Sequence, residues 1–173
     1  MKIRHETPTD HQQIEKLILQ AFNNHPHHKP GTRPTEHRIV NRLRKAGALT
    51  LSLVVQDKES IIGHIAFSPI KVNGKDVGWY GLGPVSVMPA YQSQGIGAAL
   101  IQEAMSQLKQ KGIKGVVLLG EPDYYTQFGF NAHPGLTFPG VPEEYFLALP
   151  LHGVPACGEV SYHPAFFETE SAE

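Results

Sequence analysis

Hydrophobic and polar residues along this chain follow two periodicities, one typical of helices and one typical of strands. Apolar residues three or four positions apart predict helices, whereas alternating or short continuous apolar runs predict strands. A tight turn is expected at Asn73-Gly74, because this dipeptide accepts the positive φ angles of a two-residue hairpin loop. In chain order the predicted elements are a strand at 2–5, helices capped at Thr9-Asp10 and beginning near Pro34, strands at 49–55, 61–67 and 77–87, a helix from Ile96 to Lys111, a strand at 116–119, a short helix at 122–128, and strands at 145–149 and 160–162.

The order of these elements predicts an α/β fold class with a mixed sheet. Three antiparallel strands come first, and the end of the third is also the first strand of a strand–helix–strand unit over residues 85–119. Its two strands are expected to be parallel, because a helix carries the chain back across the sheet between them. Apolar patterning continues through the chain without a linker, so we predict a single domain over residues 1–173.

A glycine-containing turn joins the first strand of this unit to its helix. The first N–H groups of a helix have no partner within it and attract anions, and glycine lets a phosphate approach the backbone. Leu100 stands where the dinucleotide pattern requires a small residue, and no Lys-Ser or Lys-Thr follows the glycines as a triphosphate loop requires. Two interpretations remain, a pyrophosphate held by backbone amides or a turn with no ligand. The candidate binding residues of this turn are Gln92, Ser93, Gln94, Gly95, Ile96, Gly97 and Ala98.

Composition and charge argue against several kinds of partner and location. The chain has 173 residues, of which 40% are hydrophobic, and a formal net charge of -1. Scattered charges argue against nucleic acid or an anionic membrane as partner, and no apolar stretch approaches the ~20 residues that cross a bilayer. The N-terminus lacks the apolar core of a signal peptide, and the single cysteine, Cys157, excludes an internal disulfide, so we expect a cytoplasmic protein. His25, His27 and His28 cluster in a proline-rich loop without convergent geometry, and we expect no metal there.

Two ordered motifs carry a resemblance to a known family. The segment Gln92-Ser93-Gln94-Gly95-Ile96-Gly97 resembles the acyl-coenzyme A signature of the GNAT N-acetyltransferase superfamily, Arg or Gln-x-x-Gly-x-Gly or Ala. About thirty residues later, Tyr125-Thr126-Gln127-Phe128-Gly129-Phe130 is similar to the family's Tyr-x-x-x-Gly-Phe. Segments 63–69, 82–87 and 119–125 resemble a bacterial subgroup of predicted acetyltransferases. The resemblance implies a GNAT-like fold, with a central mixed sheet whose parallel fourth and fifth strands splay apart between flanking helices.

The resemblance also implies a co-substrate and a mechanism. Acetyl-CoA would be bound through its pyrophosphate by the amides of Gln92 to Ala98. Its pantetheine arm would lie where the strand carrying Val85–Val87 leaves the strand Val116–Leu119. A backbone N–H near Val85–Val87 would stabilise the oxyanion formed when a primary amine attacks the thioester. Tyr125 would protonate the departing thiolate, although an aromatic that packs the short helix is the alternative interpretation of this residue.

Three points stay open in the sequence. Many family members carry a glutamate as general base on the central strand, whereas this chain has Val85-Ser86-Val87 there. Glu121, Asp123, His64 or water are the candidates that remain. The acceptor, a small molecule or a protein amine, is unidentified, and a homodimer through a C-terminal edge strand is possible. A catalytically silent acyl-CoA-binding module and a domain with no ligand are the alternative functions.

Overall fold

The structure, a computed structural model, describes residues 1–22 and 36–167. The helices in this part of the chain are α1 His11–Phe22, α2 Glu36–Lys45, α3 Ile96–Gln110 and α4 Pro122–Tyr125. The strands are β1 Lys2–His5, β2 Leu51–Asp57, β3 Ser60–Val72, β4 Lys75–Val87, β5 Gly115–Leu119, β6 Leu136–Thr137, β7 Phe146–Pro150 and β8 Gly158–Ser161.

The strands form a mixed sheet, which confirms the predicted fold class. Hydrogen-bonded neighbours follow the order β1-β2-β3-β4-β5-β7, and β8 pairs with β3 and with β6. β4 and β5 are parallel, whereas the β1–β2, β2–β3 and β5–β7 pairs are antiparallel. The predicted strand–helix–strand unit is therefore present, with α3 as its crossover helix.

Several element boundaries differ from the prediction. β3 and β4 are each 13 residues long and meet close to the predicted turn at Asn73-Gly74. β6 was not predicted, because a two-residue strand held by distant β8 leaves no periodicity to detect. The short helix ends at Tyr125 and continues as a 3-10 turn to Phe128. α1 begins at His11, directly after Thr9-Asp10 as predicted, but these two residues end a 3-10 turn at Pro8–Asp10. The N-cap of that turn is Thr7, which forms a capping box with Asp10.

The described residues divide into two compact units, and the boundary falls within β3, within β4 and within α3. The first unit contains residues 1–22, 36–67 and 84–104, and the second contains 68–83 and 105–167. The single domain predicted for the whole chain stays a prediction. Each unit has a hydrophobic core of its own, and each is described separately below.

In the first unit, α1 and α2 pack on β2 and β3. Their buried residues include Ile14, Leu17, Ile18, Val40 and Leu43, at the helical spacing from which both helices were predicted. In the second unit, Trp79 is 2% exposed and lies over Gly115, where a Cβ atom would stand 2.5 Å from the indole ring. The absence of a side chain at Gly115 therefore allows this tryptophan to occupy the second core.

Candidate active site

The ladder between β4 and β5 is short, and its end lies in the second unit. It consists of the pairs Trp79↔Gly115, Tyr80↔Val116 and Gly81↔Val117. β5 continues to Leu119, and its other edge stays paired with β7 to the last residue. Next in β4 come Gly83, which has a φ of 144°, and Pro84, which has no N–H to donate to a ladder. Leu119, at the free end of β5, is 44% exposed.

In the first unit, Val85, Ser86 and Val87 form the last residues of β4. Ser86 is 2% exposed and its Oγ has no hydrogen-bond partner among the described residues, while the side chains of Val85 and Val87, which alternate with it, are half-buried. The N–H of Met88 donates to the carbonyl of Ile62, 2.8 Å away, and this bond anchors the end of β4 on β3.

The glycine turn that follows is held by its own glutamine side chains. Gln92 Nε2 donates to the carbonyl of Val87 at 3.0 Å, and Gln94 Nε2 donates to the carbonyl of Ala90 at 3.3 Å. Ser93 and Gly95 have φ angles of 63° and 85°, in the left-handed region that glycine adopts without strain. The two bonds and these angles give the turn a defined backbone path before any ligand binds.

The turn ends at the start of α3, where backbone donors are left without partners. The carbonyl of Gly95 accepts the first helical bond, from the N–H of Ala99 at 3.0 Å. Within the described residues, no acceptor is bonded to the N–H groups of Ile96, Gly97 or Ala98. These amides and the positive end of the helix dipole make this position suitable for an anion.

The start of α3 lies close to β3 because Gly63 has no side chain. A Cβ at Gly63 would lie 3.1 Å from Ile96 Cγ2 and 3.2 Å from Leu100 Cδ1. On the other side of the turn, the Tyr91 hydroxyl donates to Asp57 Oδ2 at 3.0 Å. The position of the unpaired amides is therefore fixed by residues of three elements within the first unit.

Tyr125 ends α4 in the second unit and lies in an aromatic cluster. Its ring centroid is 5.0 Å from that of Tyr124, 6.3 Å from Phe128 and 6.2 Å from Phe130. The ring also lies against the Cα of Gly120, where a Cβ atom would collide with Cε2 and Cδ2. The Tyr125 hydroxyl donates to no other described residue, so it is available to a substrate.

Burial, with a smaller contribution from Tyr124, raises the pKa of Tyr125 to about 12. The hydroxyl therefore keeps its proton at physiological pH and can act as a hydrogen-bond donor. A free thiol has a pKa of about 8.5, so complete proton transfer from Tyr125 to a thiolate would be uphill by about 3.5 units, or about 5 kcal/mol. Donation of a hydrogen bond to developing negative charge on sulfur is the chemistry that this environment favours.

The residues left open as general base lie in two different environments. Glu121 and Asp123 are exposed, at the N-cap and in the first turn of α4. His64 is in the first unit and is 0% exposed. Its Nε2 lies 2.7 Å from Ser52 Oγ, which in turn donates to Glu6 Oε1. Because the serine hydrogen is directed to the carboxylate, Nε2 of His64 carries the ring proton and donates to Ser52.

Burial lowers the pKa of His64 to about 4; the charge of Glu6 opposes this shift and that of Arg44 adds to it. Arg44 binds both carboxylate oxygens of Glu6, each at 3.0 Å. For Glu6 itself, burial raises the pKa, but the hydrogen bonds from Arg44 and Ser52 outweigh this effect and the net shift is downward. This arrangement is that of a neutral histidine held in a structural network, not of an accessible general base.

The second unit contains a cavity of about 280 Å³ in the segment between α4 and β7. Sequence reasoning did not detect it, because its walls come from a segment without periodicity. Its lining residues are Ala132, His133, Pro134, Leu136, Thr137, Phe138, Pro139, Gly140, Val141, Glu143 and Phe146.

Other expectations concern metals, membranes and the single cysteine. His25, His27 and His28 lie outside the described residues. In the part of the chain that the structure describes, no group of three or more His, Cys, Asp or Glu residues could hold a metal ion, and no helix is long and apolar enough to cross a bilayer. Cys157 is a free, exposed thiol.

Comparison with known proteins identifies the family. The sequence model described as "Acetyltransferase (GNAT) domain" matches residues 2–132. The chain belongs to the GNAT acetyltransferase family. This GNAT chain is 36% identical to N-acetyltransferase YhbS of Escherichia coli K12, over 96% of its own length and 98% of that protein.

Solved structures of two GNAT proteins are also similar to the chain. A GNAT acetyltransferase from Brucella melitensis in complex with acetyl-CoA is 43% identical, with a TM-score of 0.83 over 95% of this chain and 97% of the other. E. coli YhbS in complex with CoA is 36% identical, with a TM-score of 0.85 over 96% of this chain and 92% of the YhbS chain. The family resemblance drawn from the two motifs is thus confirmed.

The predicted site residues fall into two groups. The first unit brings the Val85–Val87 segment and the Gln92–Ala98 turn together, joined by the bond from Gln92 to Val87. Tyr125 belongs to the second unit, with the free end of β5. The resemblance implied that β4 and β5 separate near Val85–Val87, and the last pair of their ladder is Gly81↔Val117. Pro84, just beyond it, was a visible signal that the sequence reasoning did not use.

Proposed function

We propose that this chain transfers the acetyl group of acetyl-CoA to a primary amine. The observation that carries the proposal is the set of unpaired amides of Ile96, Gly97 and Ala98 at the start of α3. Support comes from the Brucella relative, 43% identical over nearly the whole chain, whose structure contains acetyl-CoA. The amides would bind the pyrophosphate, as their charge and orientation favour.

The remaining parts of the co-substrate would use the free strand edges. Because the β4–β5 ladder ends at Gly81↔Val117, the last residues of β5 are available to an extended pantetheine arm, which would pair with them as an added strand does. We assign stabilisation of the thioester oxyanion to a backbone N–H in the Val85–Val87 segment. These roles rest on the family resemblance together with the local geometry of each unit.

The reaction balances without a metal or a covalent enzyme intermediate. The protonated amine loses one proton to become a nucleophile, forms a bond from nitrogen to the acetyl carbon and loses a second proton as the amide forms. The bond from carbon to sulfur breaks, and sulfur takes up one proton, so that one proton is released overall. We propose that the Tyr125 hydroxyl donates to the departing sulfur, and that solvent accepts the first proton, because His64 is inaccessible and the Val85–Val87 segment of β4 carries no carboxylate.

Calorimetry with acetyl-CoA and a thiol-release assay with a panel of amines test the proposal. Binding without thiol release from any amine would favour the silent acyl-CoA-binding module, which the absence of a carboxylate at Val85–Val87 permits. No binding of acetyl-CoA would refute both functions. The homodimer that the sequence leaves open stays untested.

The variant Tyr125→Phe tests the role of the hydroxyl. A hydrogen bond to a charged group contributes about 1.5–3 kcal/mol, so kcat should fall about 10- to 100-fold. The affinity for acetyl-CoA should change less than about two-fold, since the ring is retained. Tyr124→Phe, on the neighbouring 41% exposed tyrosine, is the matched control and should retain the wild-type kcat. Equal losses of kcat and affinity in Tyr125→Phe would indicate that the hydroxyl serves packing only.

A further inference from the structure

The cavity of residues 132–146 combines apolar walls with one carboxylate. Leu136 and Phe146 are each 5% exposed, and the rings of Phe138 and Phe146 stack with centroids 5.5 Å apart and planes 25° apart. Among its lining residues, Glu143 is the only one that carries a formal charge at neutral pH with histidine neutral. Such a surface suits a ligand with an apolar body and one positive charge.

The cavity lies at the same end of the sheet as Tyr125, within the second unit. Phe146 begins β7 and pairs with Leu119, the last residue of β5. One residue further, the N–H of Gly120 donates to the carbonyl of Tyr145 at 2.9 Å, and the Cα of Gly120 lies against the Tyr125 ring. The wall of the cavity thus includes the first residue of β7, and the Tyr125 ring lies against the residue that follows β5, the strand paired with β7.

We propose that this cavity is the acceptor site and that the acceptor is a small primary amine carrying one compact apolar group. The inference rests on the proposed function and names its substrate class. The apolar group packs against Phe138 and Phe146, and Glu143 attracts the ammonium group before it is deprotonated. A volume of about 280 Å³ lies at the low end of ligand cavities, which favours a small amine over a polyamine or an aminoglycoside.

A series of amines measures the apolar contribution. Ethylamine, propylamine, butylamine and hexylamine differ only in methylene groups, and each buried methylene should lower KM about four-fold until the cavity is full. The variant Val141→Trp, which fills the cavity from its wall, should move the optimum to a shorter amine. Val154→Trp, at a valine that is 88% exposed and outside the lining, is the matched control and should leave the optimum unchanged.

A second pair of variants measures the charge. Glu143→Gln should raise KM for 2-phenylethylamine about ten-fold and leave KM for acetyl-CoA unchanged. Glu144→Gln removes the neighbouring carboxylate, which does not line the cavity, and should leave both constants unchanged. Calorimetry of 2-phenylethylamine with the wild-type protein and with Val141→Trp measures binding independently of turnover, and thermal unfolding checks that each variant is folded.

Each outcome decides one of the two proposals. Chain-length dependence together with the two variant effects supports the acceptor site. The acceptor site would be overturned by any of three results. These are a KM that does not change with the chain length of the amine, Val141→Trp and Glu143→Gln variants that behave like their controls, and turnover of peptides without turnover of free amines. If 2-phenylethylamine binds and Val141→Trp abolishes the binding, but no amine is acetylated, the cavity is an amine site and the proposed acetyl transfer is refuted.

Discussion

Replacement of His64 by glutamine should remove a pH-dependent part of the stability of the protein. His64 is fully buried on β3, its Nε2 donates to Ser52, and within the described residues its Nδ1 has no partner. Burial lowers the pKa of this imidazole to about 4. Glutamine retains an amide donor near the position of Nε2 and has no titratable group.

The sign and the size of the effect follow from proton linkage. The unfolded histidine has a pKa of about 6.5, so between this value and about 4 the unfolded chain binds a proton that the folded protein does not. The contribution of neutral His64 to the free energy of unfolding is therefore fully present above pH 6.5 and is lost as pH falls from 6.5 to about 4. A shift of this size removes about 2 kcal/mol of stability between pH 7 and pH 5, and about 3 kcal/mol by pH 4.

Urea unfolding at pH 7, 6 and 5 measures the effect. The wild-type protein should lose about 2 kcal/mol more stability than His64→Gln between pH 7 and pH 5. His5→Gln, at an exposed histidine of β1, is the control and should follow the wild-type protein. Parallel pH dependence of wild type and His64→Gln would refute the reasoning. If His64→Gln does not fold, NMR titration of the wild-type imidazole decides, because protonation near pH 6.5 would contradict the burial argument directly.

The result also bears on the mechanism. A histidine that stays neutral and inaccessible down to pH 5 cannot exchange protons with a substrate in solution. Confirmation would leave solvent or an exposed carboxylate such as Glu121 as the proton acceptor. A pKa near 6.5 would instead require that water reaches the ring, and His64 would again be a candidate base.

Two further predictions concern packing and charge. In Gly120→Ala the new Cβ meets the ring of Tyr125. In steady-state kinetics kcat should therefore fall towards that of Tyr125→Phe, and in thermal unfolding the protein should lose about 1–3 kcal/mol of stability. A wild-type kcat would contradict this contact. The hydrogen bonds from Arg4 lower the pKa of Asp10 to about 2. Asp10→Asn should therefore cost about 2 kcal/mol of stability at pH 7. The stabilities of the wild-type protein and of Asp10→Asn, measured by urea unfolding, should converge as pH falls from about 4 to about 2.

The family and its co-substrate could be predicted because their signals are local. A helix N-terminus with glycines in the preceding turn has unpaired amides wherever the turn lies in the fold. Gly95 and Gly97 are therefore recognisable within a segment of seven residues, and so are Pro84 and Asn73-Gly74. The helical faces of α1 and α2 were predicted for the same reason, since their periodicity is contained within each helix.

The parts that could not be predicted depend on contacts between distant segments. β6 exists because Leu136 and Thr137 pair with Gly158 and Glu159, more than twenty residues away. The burial of His64 depends on Ser52, and the charge of Glu6 beside it is balanced by Arg44 from α2. Neither set of contacts leaves a periodic pattern, so a sequence argument could name His64 but could not decide its protonation state.

This difference explains why the co-substrate was identifiable from the sequence and the acceptor was not. Pyrophosphate is recognised by backbone N–H groups, and a short motif is enough to arrange them. An acceptor is recognised by side chains; in the proposed acceptor site these would be Phe138 and Glu143, which belong to an irregular segment next to β7, and Phe146 at the start of β7. Substitutions in that segment can change the acceptor without disturbing the glycine turn. Among GNAT relatives with the same turn, we therefore expect residues 132–146 to determine which amine is acetylated.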